Sequence, residues 1–315
     1  MGNNKPTIAF MGTPEFAVPS LKALIESGYP VVGVFCQPDR PVGRGKKLAV
    51  GPVKALALER GIPVFQPERI KRPEGVKMLL DLAPDLVVTA AFGQILSREI
   101  LDIPPMGTVN VHASLLPRHR GAAPINWCIM MGEKVSGVTT MYTDVGLDTG
   151  DMLLKRETPI GEMETAGELS GRLSHLGAEL LIETLQKIQD GTCPRTPQDQ
   201  ESASYEGMLS KELGKIDWSR PAREIACQVR GLNPWPGAYT AMAGGVLKIW
   251  LARALDKQGG APGEVMAASG KEGLIVACGQ GCLEILEMQA PNGKRMSAKA
   301  YLLGKPMPVG TVLGE

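Results

Sequence analysis

Thr7-Ile-Ala-Phe-Met-Gly-Thr-Pro-Glu-Phe16 is the stretch from which the fold can be read. Residues 7–11 are nearly all apolar, which suits a strand buried on both faces, and the Gly-Thr-Pro that follows is a turn. Residues 16–27 have helical spacing and stop at Gly28. The alternation continues outward. Residues 31–36 predict a second strand, 53–60 a helix stopped by Gly61, and 64–65 a short strand. Residues 76–82 predict a helix ending before Pro84, and 86–90 and 107–112 two further strands. Strands alternating with helices imply a Rossmann-like α/β domain: a mostly parallel sheet with helices on both faces. Such sheets bind ligands beyond the carboxyl ends of their strands.

Further along, residues 152–159 alternate, and 165–189 predict one long amphipathic helix with Leu169, Leu173, Leu176, Leu180 and Ile188 on its buried side. Residues 190–205 are rich in Pro, Thr, Ser and Gln and read as a linker. The expected organisation is a first domain over 1–189, a linker over 190–207 and a second domain over 208–315. The second domain opens with a helix at 222–230. Five short β-like runs follow, at 239–243, 246–254, 263–268, 274–278 and 283–288, separated by glycine-rich turns. That pattern predicts a small OB-like β-barrel.

Composition narrows the function classes. Of 315 residues, 43% are apolar and 21% charged, the balance of a globular protein. No apolar run approaches the roughly 18 residues that span a bilayer, and the first residues lack the apolar core of a signal peptide. No membrane association is expected, and the cytoplasm is the default location. The six cysteines are scattered without a Cys-x-x-Cys, so free thiols and no bound metal are expected. The turn after the first strand lacks the G-x-G-x-x-G of a dinucleotide site, and no G-x-x-x-x-G-K-[ST] phosphate loop occurs. The net charge of +1 argues against a general polyanion binder. Its distribution is uneven: residues 1–207 hold 21 Lys/Arg against 24 Asp/Glu, and residues 208–315 hold 13 against 9. The second domain is therefore the better candidate to face an anion.

The chemistry centres on Asn110-Val-His-Ala-Ser-Leu-Leu-Pro-Arg-His-Arg-Gly-Ala-Ala-Pro124, which starts at the end of a predicted strand. Asn110 and His112 are two apart and so point to the same side of an extended backbone. An amide and an imidazole aimed at one spot can donate to a single oxygen, as an oxyanion at an acyl carbon requires. A nearby carboxylate would hold the imidazole charged and take up a proton. Asp148, in the glycine-flanked Gly146-Leu-Asp-Thr-Gly150, is the candidate. Each residue has a plainer reading on its own: a structural histidine, a turn-forming asparagine, a turn-capping aspartate. Only the combination favours catalysis.

Asn110, His112 and Ser114-Leu-Leu-Pro117, followed by Asp144-Val-Gly-Leu-Asp-Thr-Gly150, resemble the signature of the folate-dependent formyltransferases. Further stretches resemble the branch of that family that acts on methionyl initiator tRNA. They are Gly12-Thr-Pro-Glu-Phe16, Gln37-Pro-Asp-Arg-Pro-Val-Gly-Arg-Gly-Lys-Lys47, Arg118-His-Arg-Gly-Ala-Ala-Pro124 and Asn233-Pro-Trp-Pro-Gly237. The resemblance implies catalytic roles for Asn110, His112 and Asp148. It implies contacts with a reduced folate, the formyl donor 10-formyltetrahydrofolate, from Ser114, Leu115, Leu116 and Pro117, and from Phe92, Gly93, Gln94 and Ile95 in a loop along the pterin. One departure is His119, where many relatives carry Trp or Tyr; His119 is not read as a catalyst.

The resemblance also implies that the basic loop enters at the tRNA acceptor stem. Arg40, Arg44, Lys46 and Lys47 are the candidate contacts there, with Lys211, Lys215 and Lys248 in the second domain. A monomer is the expected state. Two competing readings share the triplet: a formyltransferase with another acceptor, such as glycinamide ribonucleotide or a nucleotide amino sugar, and a hydrolase releasing formate; a third, an RNA-binding module with a decayed site, is opposed by the intact Asn110, His112 and Asp148.

Overall fold

The computed structural model describes residues 5–42 and 47–314. In chain order the first elements are β1 (Ile8–Gly12), α1 (Val18–Glu26), β2 (Val31–Phe35), β3 (Pro41–Val42), β4 (Lys47–Leu48), α2 (Pro52–Glu59), β5 (Val64–Phe65), α3 (Pro73–Leu82) and β6 (Leu86–Ala90). Then come α4 (Arg98–Leu101), β7 (Thr108–His112), β8 (Arg120–Gly121), α5 (Pro124–Met130), β9 (Val135–Tyr142), β10 (Met152–Pro159), α6 (Ala166–Gln189) and β11 (Tyr205–Glu206). Last are α7 (Ala222–Gly231), β12 (Ala238–Met242), β13 (Gly245–Leu255), β14 (Val265–Ser269), β15 (Gly273–Ala277), β16 (Cys282–Gln289), β17 (Met296–Ser297) and α8 (Ala298–Gly304). They fall into two compact units. One comprises the described residues up to 121 with 137–158 and 170–205; the other comprises 122–136, 159–169 and the described residues from 206 on.

The first unit is built on a seven-stranded sheet in the order β10-β9-β7-β6-β1-β2-β5. Strands β5, β2, β1, β6 and β7 are parallel, as the alternation predicts. Strand β1 is central and wholly buried, which is why its sequence is a continuous apolar run. Strand β9 departs from expectation. It runs antiparallel to β7, and its Val-Ser-Gly-Val-Thr-Thr-Met-Tyr sequence did not predict a strand. Its buried hydroxyls are satisfied internally. Thr139 Oγ1 donates to the Ser114 carbonyl at 2.7 Å, and Thr140 Oγ1 lies 2.8 Å from Thr184 Oγ1. The short helices α4, α5 and α8 also fell outside the sequence reading.

The segment read as a linker packs on this unit over residues 190–205. Thr196 exchanges two main-chain hydrogen bonds with Met152 at the start of β10, each 2.9 Å. The predicted long helix is α6, with Leu169, Leu173, Leu180, Leu181 and Leu185 buried; Leu176 and Ile188 are half-buried. Each fully buried leucine of this kind contributes about 1.5–3 kcal/mol.

The second unit contains an antiparallel sheet in the order β12-β13-β16-β15-β14, with β17 paired to β16. This sheet is what the structure shows of the expected barrel. Its core gathers Leu247, Ile249, Val265, Leu274, Val276, Leu283 and Ile285, with Ile225 and Val229 of α7. All six cysteines are free, and burial pushes the Cys36 and Cys278 thiols up to about 12. Thiolate nucleophiles are thereby excluded at those two positions near neutral pH. Among the described residues no helix is long and apolar enough to cross a membrane.

Candidate active site

The last residues of β7 carry Asn110 and His112 on one side of the strand. Asn110 is paired in register with Thr89 of β6, whose hydroxyl donates to Asn110 Oδ1 at 2.8 Å. That bond fixes which way the amide faces. Its oxygen is turned to Thr89, and its Nδ2 hydrogens donate to nothing among the described residues. Thr89 was invisible to sequence reasoning because the contact depends on sheet register.

His112 is 6% exposed. Its Nε2 lies 2.9 Å from the His119 carbonyl, an acceptor only, so Nε2 carries a hydrogen. Its Nδ1 lies 3.7 Å from Asp148 Oδ1, too long for a hydrogen bond and short enough for an ion pair. The other carboxylate oxygen of Asp148 accepts the Gly121 N–H at 2.8 Å. The structure therefore brings His112 and Asp148 together from segments 36 residues apart, with Asn110 on the same strand face.

Asp148 has a left-handed backbone, φ 53°, which aspartate tolerates better than most residues. The loop bends back tightly after it: a Cβ at Gly150 would overlap the Tyr142 carbonyl oxygen. Glycine is required there by contact. His119 also has positive φ, 57°, and contributes through its main chain: its carbonyl faces His112, and its N–H donates to Ser204 Oγ at 2.8 Å.

Two segments expected to contact a folate flank this group in the sequence and are tied into the fold. In residues 91–95, Phe92 is buried and its carbonyl accepts Gln37 Nε2 at 3.1 Å. Gln94 Oε1 accepts the Ile70 N–H at 2.7 Å, Gly93 has φ 76°, and Ile95 stands 72% exposed. In residues 114–117, the Ser114 hydroxyl donates to the Arg118 carbonyl at 2.7 Å, and Leu116 is buried against Met141 and Met152. Lys155 donates to the Leu116 carbonyl, a contact no motif signalled. Leu115 and Pro117 are half-buried. The side chains of Phe92, Gln94, Ser114 and Leu116 are thus committed to the fold. Gly93 and Ile95 are the exposed members of the set.

The basic candidates divide. Arg40 is exposed; Arg44 and Lys46 lie outside the described residues. Lys47 lies in β4, whose backbone pairs antiparallel with β3. Lys54, in the same basic stretch, is ion-paired with Asp39 and donates a hydrogen bond to Gln66 Oε1 at 2.7 Å. The Lys54 and Gln66 hydrogen bonds hold the Asp39 carboxyl below the usual carboxylate range. In the second unit Lys211, Lys215 and Lys248 are all exposed. Lys215 bridges to Tyr239, and Tyr239 pairs with Lys248, so these three form a row across the sheet. The Lys248 ammonium lies 5.6 Å from the Trp250 ring centre and the Arg295 guanidinium 5.1 Å from it.

Comparison with known proteins places this arrangement. The formyl transferase family model matches residues 6–185, and the model of the formyl transferase C-terminal domain matches 208–306. The chain belongs to the formyl transferase family. A methionyl-tRNA formyltransferase of Acetivibrio thermocellus is 53% identical over 310 residues, covering 98% of this chain and 99% of its own. One of Ruminiclostridium cellulolyticum is 51% identical over 311 residues, with the same coverage of 98% and 99%. Among solved structures, an N-formyltransferase from Helicobacter canadensis, in complex with folinic acid and dTDP-3-aminofucose, superposes with a TM-score of 0.65 at 21% identity. It covers 88% of this chain and 98% of its own, a likeness of fold.

Two predictions follow for this formyl transferase. Thr89→Val keeps the shape of the β6–β7 contact and removes the donor that orients Asn110. A lost neutral hydrogen bond of about 1 kcal/mol corresponds to a fall of roughly fivefold in formyl-transfer turnover, read by steady-state kinetics at unchanged melting temperature. Gly150→Ala forces the turn away from Tyr142 and should lower turnover by at least about 100-fold, since small displacements of reacting groups carry penalties of that order.

Proposed function

We propose that this formyl transferase moves the formyl group of 10-formyltetrahydrofolate to the α-amine of methionyl initiator tRNA. The observation that carries the reading is the Asp148–His112 pair at 3.7 Å, with the Asn110 amide turned outward by Thr89. Supporting it are relatives above 50% identity over nearly their whole lengths that bear the name methionyl-tRNA formyltransferase.

The chemistry can be written on these residues. The amine attacks the formyl carbon, and the carbonyl electron pair moves onto oxygen. Asn110 Nδ2 and the Nδ1 hydrogen of His112 hold that oxygen. Asp148, beside Nδ1, stabilises the charged imidazole and receives the ammonium proton, directly or through water. The electron pair returns to rebuild the carbonyl as the bond to the folate nitrogen breaks, and that nitrogen leaves with the proton that Asp148 took from the ammonium, which restores the carboxylate. The exposed segment at Gly93 and Ile95 borders the folate. The triplet serves as the catalytic set, in a first domain over 1–189 joined through 190–207 to a tRNA-binding domain over 208–315. The enzyme works in the cytoplasm as a monomer.

The row formed by Lys215, Tyr239 and Lys248 fits a phosphate backbone, because two exposed cations flank an aromatic ring. Arg40 and the loop that follows it are assigned to the acceptor end of the tRNA.

The direct test mixes the enzyme with formylated folate and charged initiator tRNA and measures formylmethionine and free formate. Formylmethionine in stoichiometric excess over formate is expected; formate alone would make the protein a hydrolase, and neither product would leave it with another acceptor. Asn110→Ala and His112→Ala should each lower turnover about 10²–10³-fold, the usual effect of losing one oxyanion donor. Reversing charge with Lys215→Glu and Lys248→Glu should raise KM for tRNA while leaving KM for the folate unchanged. Each reversal should also reduce the slope of log affinity against log salt by roughly 1. An unchanged slope would remove the row from the tRNA interface.

A further inference from the structure

Arg120 has no solvent exposure, an unusual state for a guanidinium. Its hydrogen-bond partners are neutral: Nε donates to Gln198 Oε1 at 3.0 Å, and one Nη donates to Gln200 Oε1 at 2.8 Å and to the Tyr205 hydroxyl at 2.6 Å. Its other Nη has no hydrogen-bond partner among the described residues. Gln198, itself 7% exposed, turns its amide nitrogen the other way. Nε2 donates to the main-chain carbonyl of Asp148 and to that of Gly150, each at 2.8 Å. The two hydrogens of one amide therefore span the Asp148 turn, while its oxygen is held by a buried cation.

Gln198 is held in place from below. Thr196 pairs with Met152 on the main chain, and Arg195 is bound to Asp151 at 3.0 Å. Gln198 lies between the stretches matched by the two family models, which end at 185 and resume at 208.

We propose that Arg120 and Gln198 are positioning residues for the formyl-transfer site: the guanidinium fixes the Gln198 amide, and the amide holds the left-handed Asp148 turn so that its carboxylate faces His112. The inference rests on the assignment of the Asp148–His112 pair as catalytic. Physically, the turn has φ 53° at a non-glycine residue and needs outside support to persist. Two hydrogen bonds to its carbonyls supply that support. The charge on Arg120 strengthens them, because an amide whose oxygen is bound by a cation is a better donor at nitrogen.

The test separates the two ends of the amide. Gln198→Glu keeps an oxygen for Arg120, now as a buried ion pair, but has no hydrogen for the Asp148 and Gly150 carbonyls. The full-length Gln198→Glu enzyme should melt near the parent. Its kcat for formylation of charged initiator tRNA should fall about 10- to 100-fold, with both KM values within about twofold. In an Asp148→Ala background the same substitution should change kcat less than about twofold, because its effect passes through that carboxylate. Parental kcat in Gln198→Glu, or a full additional loss in the Asp148→Ala background, would overturn the assignment. Near-parental kcat in Asp148→Ala alone would instead sink the catalytic pair beneath it. Gln198→Ala, which removes both ends, should lose at least as much kcat as the glutamate variant and also melt lower. If it does not fold, the glutamate variant decides.

Discussion

A carboxylate can be aimed at one imidazole only if the backbone that carries it is held as firmly as the imidazole. His112 has its firmness from β7 and from the His119 carbonyl. Asp148 belongs to a connection and has to find it elsewhere. The register makes the difficulty concrete. Tyr142, at the end of β9, lies opposite Val109, while His112 lies opposite Thr139. The chain thus leaves the sheet three residues short of His112 and has to reach forward along β7 before returning at Asp151, whose carbonyl accepts the Tyr142 N–H at 2.9 Å. A left-handed residue, a glycine pressed against the Tyr142 carbonyl, and support at both loop carbonyls are the means by which that excursion is made short and stiff.

The parts of this site that follow local rules could be read from the chain alone. Asn110 and His112 two apart on a strand, and Asp148 between glycines, are local statements; the structure has Asn110 and His112 on one face of β7 and the Asp148 carboxylate 3.7 Å from the imidazole. Thr89 and Gln198 could not be read in this way. Thr89 acts because β6 and β7 pair with Thr89 opposite Asn110, and nothing near Thr89 in sequence announces that register. Gln198 sits among Pro, Thr and Gln residues, a composition that suits a solvated connection. Its burial arises from Thr196 pairing with Met152, a contact across 44 positions.

Strand β9 failed to declare itself for a different reason. Strand signals weigh apolar character, and Ser136, Gly137, Thr139 and Thr140 supply little. These residues are nevertheless buried, because each position is constrained by contact. A Cβ at Gly137 would meet the Arg156 carbonyl, and Thr139 bonds the Ser114 carbonyl and the Leu116 N–H. The hydroxyl that conceals the strand from a hydropathy reading is the group that anchors residues 114–116 beside it. Function and misreading here share one cause: polar atoms placed inside a sheet for what they bind.

The same distinction between amount and placement governs charge. A net charge of +1 argues against affinity for a polyanion only if the cations are spread evenly and paired. They are not. In the first unit Lys54 is spent on Asp39, Arg98 on Asp144, and Arg156 on Glu179 and Glu183. In the second unit the Lys215–Tyr239–Lys248 row lies on the exposed face of a sheet whose neighbouring Leu247 and Ile249 are buried. Among the described residues those two lysines enter no ion pair. Counterion release depends on how many phosphates meet such free cations, not on the sum over the chain. A protein near neutrality can therefore bind a nucleic acid on one face, provided its acids have already claimed the cations elsewhere.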